Sequence, residues 1–407
     1  MTQPGSRAPR ILLLEGIHPT AKEILEREGF TVRLEKHSPS EAELREWIKE
    51  CDAIGIRSKT RIPSSIIVEN PHVMVIGAFC IGTDQIDIAA ANAAGVPVFN
   101  APYSNTRSVA ELVMAEIVAL SRQLGDRNTK AHRGEWLKSA EGSHEVRGKT
   151  LGIVGYGHIG SQVAVLAEAF GMRVIYYDIV KKLPLGNSRP CRSLDELLEN
   201  ADFVSLHVPD TEHTRGMIGE KQLARMRKGA HLINASRGTV VDISALAKAI
   251  REKHLAGAAI DVFPNEPSSN KEEFVCELQG LPNVILTPHI GGSTMEAQEA
   301  IGAEVAQSFI SFLRTGSTRG AVNFPNVDLP VLHPGCQRII NVHKNVPGVL
   351  GDINGIVSEV GANIQAQALA TDPHIGYLVM DLEKAEATEV AERISKLKTS
   401  IKTRVVF

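Results

Sequence analysis

Residues 151–160 read LGIVGYGHIG, and Asp178 closes the apolar run RVIYYD that follows. Each part suits a phosphate-bearing dinucleotide. Gly155 allows a tight turn off the strand Thr150 to Val154. Gly157 has no side chain to hold a pyrophosphate off the backbone, and Gly160 lets the next helix pack closely on the sheet. That helix, predicted over SQVAVLAEAF, points its unpaired N–H groups and positive dipole end at the phosphates. Asp178 lies about 20 residues on, where an acid bonds the ribose hydroxyls and repels a 2′-phosphate. Lys181 and Lys182 stand close behind it and soften that repulsion. A glycine-rich loop alone is also an ordinary structural turn; the flanking strand, helix and acid separate the two readings.

Three further polar stretches fall at predicted strand ends. INASRGTVVD carries Ser236 and Arg237, AIDVFPNEP carries Asp261 and Glu266, and LTPHIGG carries His289. Hydride transfer at a carbon bearing oxygen needs a base for the hydroxyl proton, a cation for a carboxylate or oxyanion, and a partner for the base. His289 suits the first role, because imidazole exchanges protons near neutrality. Arg237 suits the second, since its planar fork matches a carboxylate. Glu266 suits the third, orienting the imidazole and stabilising its cation. Taken singly, His289 is equally a surface histidine, Arg237 a cap partner and Glu266 a solvated turn. Their recurrence at three strand ends, on the side where open α/β sheets bind ligands, makes them one candidate set.

The elements that position these residues alternate. Up to about residue 100, ILLLEG, TVRLE, AIGIRS, VMVIGAF and PVFN are short apolar runs separated by helical stretches, which implies parallel α/β structure. A long amphipathic helix is expected over residues 108–124. From Lys149, the runs ending in DFVSLHV, AHLINAS, AGAAIDV and NVILTP add up to five or six strands of a doubly wound sheet. A helix over STMEAQEAIGAEVAQSFISFLRTG should return to the first region. The proline-rich GAVNFPNVDLPVLHPG reads as a linker. Beyond it, strand, helix, two strands, helix and strand give a ferredoxin-like βαββαβ plan. The fold class is therefore α/β, with two Rossmann-like doubly wound lobes and a C-terminal βαββαβ module. The expected division is a discontinuous first lobe (5–104 and 293–333), a dinucleotide-binding lobe (105–292) and the C-terminal module (335–407).

The 407 residues carry a net charge of −3, which argues against general affinity for nucleic acid. The N-terminal apolar run stops at Glu15, too short for a signal core, and no later stretch approaches a membrane span. The five cysteines, at 51, 80, 191, 276 and 336, are scattered and never form a CxxC. Disulfides and a metal site are not expected, and a reduced cytoplasmic setting fits best.

GIRSKT, GAFCIGTDQIDI, NAPYSNTRSVAEL, AHRGEW, GYGHIG, INASRGTVVD, AAIDVFPNEP and TPHIGGST occur in this order. In them the chain resembles the D-isomer-specific 2-hydroxyacid dehydrogenases, most closely the phosphoglycerate-oxidising type with a C-terminal ACT domain. The resemblance runs over nearly the whole chain and implies Arg237, Glu266 and His289 as the catalytic set. It implies NAD as cofactor, contacted at His158, Ile159, Asp178, Ala235, Ser236, Arg237, Asp261 and the run His289, Ile290, Gly291 and Gly292. Substrate contacts are implied at Arg57, Ser58, Lys59, Gly82 and Asn105. Related sequences often carry a second arginine where this chain has Lys59, which keeps the charge but loses the fork. Trp136 and Lys138 fall where such enzymes reach into a neighbouring subunit, and Lys138 would join the substrate contacts; Trp136 is otherwise an amphipathic anchor. In the tail, His343, Asn345 and Asn363 match positions that bind the effector L-serine across a subunit interface, with a purely structural dimerisation tail as the alternative. The implied reaction is oxidation of 3-phosphoglycerate to 3-phosphohydroxypyruvate by a homotetramer. A reductase of 2-oxoglutarate or hydroxypyruvate, or a non-catalytic NAD-sensing corepressor, are the competing readings.

Overall fold

Short apolar runs of four residues or so, flanked by helix caps, set the first part of the chain. In the computed structural model, which describes residues 7–267, 271–330, 332, 334–383 and 386–406, β1 (Arg10–Leu13), α1 (Pro19–Arg27), β2 (Thr31–Leu34), α2 (Glu41–Ile48) and β3 (Ala53–Ile56) follow in turn. α3 (Ser64–Glu69), β4 (Val75–Ala78), α4 (Ile88–Ala93) and β5 (Val98–Asn100) complete a parallel sheet of order β2-β1-β3-β4-β5. β3 and β4 are buried at every position, as strands covered on both faces must be. α2 shows how local the helix signals are: Ser40 and Glu43 close a reciprocal capping box at its start.

The helix expected over residues 108–124 is present as one helix that ends a few residues early, and a second, shorter helix follows it. α5 (Thr106–Ser121) stops, and α6 (Leu124–His132) begins, around Gln123, whose φ of 51° is left-handed and interrupts the hydrogen-bond ladder. β6 (Thr150–Val154), α7 (His158–Ala169), β7 (Arg173–Tyr177), β8 (Arg189–Pro190), α8 (Leu194–Asn200) and β9 (Phe203–Leu206) come next. α9 (Glu220–Arg225), β10 (His231–Asn234), α10 (Ile243–Arg251), β11 (Gly257–Ile260) and β12 (Val284–Leu286) follow. The second sheet has seven strands in the order β12-β11-β10-β9-β6-β7-β8. The seventh is β8, two exposed residues with no apolar signal, and it escaped the count of five or six. The order reverses on either side of β6, so the glycine loop leaves the sheet at its switch point.

α11 (Met295–Thr315) leads to β13 (Cys336–Lys344), α12 (Val349–Val360), β14 (Ile364–Thr371), β15 (Ile375–Glu383), α13 (Ala387–Ser395) and β16 (Ser400–Val406). This is the expected βαββαβ order, with an antiparallel sheet β14-β15-β13-β16.

The chain packs as two units: one gathers the residues up to Ser104 and from Gln298 onward, and the other runs Asn105–Ala297. Within the first unit the C-terminal module is not a tethered appendage. Ile340, Val342, Tyr377 and Val379 of its sheet share one core with Ile11, Leu13 and Phe99 of the first sheet and with Phe309 and Phe312 of α11. The other face of that sheet buries Ile339 and Leu378 under Ile353 and Val357 of α12 and Val390 and Ile394 of α13. The stretch read as a linker is largely docked. Asn323 accepts from Val98 N at 2.7 Å and donates to Val96 O at 2.9 Å, while Phe324 and Val327 are buried. Prolines mark where a helix cannot continue, but say nothing of whether the extended chain then packs. Residues 331 and 333 of that stretch, and the outermost ends of the expected division, lie outside the described residues. Among those described, no helix is long and apolar enough to cross a membrane.

Candidate active site

β6 delivers the glycine loop in the geometry its residues require. Gly155 has φ of 90°, and a Cβ there would lie 2.3 Å from the carbonyl oxygen of His207. A Cβ on Gly160 would lie 2.2 Å from the oxygen of Gly155, so only glycine lets α7 start so close to the strand. At Gly157 a Cβ would meet nothing within 4 Å, leaving open space over the loop for a ligand. Gly157 caps α7 without any side-chain hydrogen bond, and His158 and Ile159 open its first turn. Asp178 follows β7 directly. Its Oδ2 accepts from Tyr156 N and its Oδ1 from Val180 N, both at 2.8 Å. A flat, open, donor-rich loop with an oriented carboxylate beside it fits a dinucleotide.

Sequence reasoning passed over the tyrosines that hold this corner. Tyr156, inside the glycine motif, stacks on Tyr176 with ring centroids 3.9 Å apart. The Tyr156 hydroxyl bonds Ser188 Oγ at 3.0 Å, and the Tyr176 hydroxyl donates to Lys182 O at 2.9 Å. The chain after Asp178 is thereby tied back to the loop. The paired tyrosines of RVIYYD and the aromatic inside the glycine motif were the available signal.

β10, β11 and β12 are neighbours, so their C-terminal ends bring three of the expected stretches together. His289 Nδ1 stands 2.8 Å from Glu266 Oε2, and Glu266 Oε1 also accepts from Phe263 N at 3.1 Å. Both side chains are partly open to solvent, 48% for His289 and 36% for Glu266. The hydrogen bond to Glu266 raises the His289 pKa against the opposing effect of burial, and the charges of Glu266 and Asp261 add to it. Burial pushes the Glu266 carboxyl up, but the His289 bond and charge, the Phe263 amide and the Arg237 charge outweigh it and hold the carboxyl below its ordinary range. Arg237 thus acts on both members of the pair through its charge, and its Nη1 donates to Ser236 O at 2.8 Å.

Asp261 builds the turn on which His289 sits. Its Oδ1 accepts from Thr287 Oγ1 at 2.6 Å and from Ile290 N at 2.8 Å, and its Oδ2 from Gly291 N at 2.8 Å. A Cβ on Gly292 would fall 2.5 Å from Asn105 Nδ2, and the Oδ1 of Asn105 is buried with no partner. Ser236 is buried, and its amide and hydroxyl both donate to Asn234 Oδ1, at 3.1 and 2.7 Å; Ala235 lies half-buried between them. Behind the turn, the buried Glu116 of α5 is pushed up to about 8, first by burial and then by the charge of Asp261. That carboxyl gave no signal beyond an acid on an apolar helix.

In the other unit, Arg57, Ser58 and Lys59 form the turn after β3, with Arg57 half-buried and the other two exposed. Gly82 lies on the turn after β4, and Gln85 joins the two, its Nε2 donating to Arg57 O at 2.6 Å and to Gly82 O at 3.3 Å. Trp136 and Lys138 stand on an exposed segment of the Asn105–Ala297 unit, Trp136 at 90% exposure. Of the three tail residues, His343 is buried: burial lowers its pKa, and its Nδ1 is 2.9 Å from Asn341 Oδ1. Asn345 and Asn363 are exposed, and Asn345 Nδ2 donates to Asp372 O at 2.6 Å. Gly348 caps α12 with φ of 93°. None of the five cysteines is joined in a disulfide, and among the described residues no cluster of His, Cys, Asp and Glu could hold a metal ion.

Residues 114–291 match the model of the D-isomer specific 2-hydroxyacid dehydrogenase NAD binding domain, and residues 339–402 match the AHAS small subunit-like ACT domain. The chain is 54% identical over 398 residues to the D-3-phosphoglycerate dehydrogenase of Dictyostelium discoideum, covering 98% of this chain and 97% of that one. It is 50% identical over 401 residues to the protein of the same name from Escherichia coli K12, with the same coverage. Among solved structures, D-lactate dehydrogenase from Aquifex aeolicus complexed with NAD and lactic acid superposes with a TM-score of 0.70 at 29% identity, over 78% of this chain and 100% of that chain.

Proposed function

Since the chain belongs to the D-isomer-specific 2-hydroxyacid dehydrogenases, NAD-dependent oxidoreductases, we propose that it oxidises D-3-phosphoglycerate to 3-phosphohydroxypyruvate, the entry step of serine biosynthesis. NAD, held by the loop Gly155, Gly157, His158, Ile159 and Gly160 and by Asp178, supplies the hydride acceptor. His289 takes the proton of the C2 hydroxyl and, in reverse, returns it to the carbonyl oxygen. Glu266 keeps the Nδ1 proton in place, so that Nε2 faces the substrate, and stabilises the imidazolium. Arg237 meets the carboxylate and the charge developing on oxygen. Ala235, Ser236, Asp261, Ile290, Gly291 and Gly292 shape the nicotinamide end. Arg57, Ser58, Lys59, Gly82, Asn105 and Lys138 receive the anionic substrate.

The observation that carries the chemistry is the His289–Glu266 pair at 2.8 Å, with opposed pKa shifts and Arg237 charge acting on both. The full-length likeness to D-3-phosphoglycerate dehydrogenases supports the substrate. The division into a substrate lobe (5–104 with 293–333), an NAD lobe (105–292) and an ACT tail (335–407) belongs to the same reading. So do a homotetramer, a cytoplasmic setting, and L-serine as an effector held by His343, Asn345 and Asn363. Initial rates of NADH oxidation with 3-phosphohydroxypyruvate, hydroxypyruvate and 2-oxoglutarate, with and without L-serine, test it. The expected result is the highest kcat/KM with phosphohydroxypyruvate. Faster turnover of 2-oxoglutarate would replace the substrate, and no turnover of any would make the chain an NAD-sensing binder.

A further inference from the structure

Glu15, just past the end of β1, is one of five non-glycine residues among those described whose φ is positive, at 59°. Such a backbone persists only where its surroundings over-determine it. Here they do. Glu15 Oε1 accepts from Arg57 N at 3.1 Å and from Thr60 N at 2.8 Å, and Oε2 accepts from Lys59 N at 3.0 Å. Its own carbonyl oxygen accepts from Arg57 Nη1 at 3.4 Å. One carboxylate therefore closes the whole turn Arg57–Thr60, which is the turn whose Ser58 hydroxyl and Lys59 ammonium are exposed. The turn is pinned from two other sides: Gln85 Nε2 bonds the Arg57 carbonyl, and Thr60 Oγ1 meets Ser38 Oγ at 2.9 Å.

Three amides converging on a single carboxylate make a charge-assisted cluster, stronger than three neutral bonds. It faces its own turn, so the acid is spent on backbone while the Lys59 side chain stays exposed. Nothing in the apolar run before Glu15 signalled this; its partners lie over forty residues away along the chain.

We propose that Glu15 is the positioning residue of the substrate-anion turn, fixing Arg57, Ser58 and Lys59 so that a phosphorylated 2-oxo acid is selected over an unphosphorylated one. This rests on the reading of Arg57–Lys59 as substrate contacts. Glu15→Gln keeps the shape, removes the charge and turns one acceptor into a donor facing an N–H. The kcat/KM for 3-phosphohydroxypyruvate should fall roughly 10–100-fold, mainly through KM, as loss of charge-assisted bonds implies. The value for hydroxypyruvate should fall by less than about 3-fold, so the selectivity ratio collapses. NADH affinity, measured by fluorescence quenching, should stay at the unaltered level.

Equal losses on both oxo acids, or an unmoved KM for the phosphorylated one, overturn the proposal. Should Glu15→Gln not fold, Glu15→Asp keeps the charge but withdraws the carboxylate by one methylene; the same selective loss supports the proposal and its absence overturns it. Arg57→Ala separates the two levels. If it leaves phosphohydroxypyruvate kinetics intact, the turn is no substrate site and the underlying reading fails. If it impairs them while both Glu15 variants do not, only the role given to Glu15 fails.

Discussion

His289 sits at φ of 54°, a left-handed backbone that costs a residue with a side chain about 1–2 kcal/mol. The cost is offset locally, because its N–H donates to Asp261 O at 2.8 Å and its ring to Glu266. The backbone is held so that the imidazole cannot turn away from its carboxylate. His289→Asn, which tolerates that backbone, should lower turnover by ~10²–10⁴-fold while leaving NADH binding nearly intact; a variant that keeps most of its rate would remove His289 from proton transfer. Glu266→Gln should move the histidine limb of the pH–rate profile to lower pH. The sign follows from the pair: Glu266 raises the His289 pKa, so without its charge the imidazolium gives up its proton earlier. Reduction, which needs the protonated ring, then loses rate at a lower pH than in the unaltered enzyme, and oxidation gains its neutral base at a lower pH. An unchanged profile would take Glu266 out of that role.

At the level of elements, strand ends and the loops they launch do the positioning. β7 ends in Asp178, and two tyrosine hydroxyls tie the following loop back at Lys182 and Ser188. Both Asp178 oxygens already accept one backbone amide, which aims their remaining lone pairs rather than using them up. Asp178→Ala removes the ribose contacts and the repulsion of a 2′-phosphate together. The ratio of kcat/KM for NADH over NADPH should fall roughly 10-fold or more, the scale of a lost hydrogen bond to a charged group. No movement in that ratio would place the adenosine elsewhere.

On the scale of the molecule, the ACT module shares its apolar core with the first sheet and α11. Arg338 adds a buried two-point ion pair to Asp381, with bonds of 2.6 and 2.7 Å, and its Nη1 also reaches Thr315 O. Cutting the chain before Cys336 would strip Ile340, Val342, Tyr377 and Val379 from that core and leave Phe309 and Phe312 uncovered. Truncation is therefore a poor probe of regulation, since loss of activity would report loss of packing. Point changes at exposed positions are cleaner. Asn345→Ala and Asn363→Ala should each raise the L-serine concentration for half-inhibition by roughly 5–10-fold, a lost hydrogen bond or so, with uninhibited turnover close to normal. Equal serine inhibition in all three proteins would point to competition at the active site.

The sequence by itself determined much of this, because those signals are local. Glycines at 155, 157 and 160 can be read directly, since turn, open approach and close packing each demand the absence of a Cβ. Apolar strand runs and the helical stretches between them placed most elements, and the βαββαβ tail was legible from its alternation. The candidate His289, Glu266 and Arg237 were legible as types at strand ends. Their 2.8 Å meeting was not, because it depends on β10, β11 and β12 lying side by side. Only tertiary structure decided that a second helix follows Gln123, that Arg189–Pro190 is a strand, that the stretch around Asn323 is docked and that His343 is buried. The same holds for Glu15 and the turn at Arg57: one acid and three amides are joined by a fold that closes a long loop, and no local pattern records which amides a carboxylate will meet.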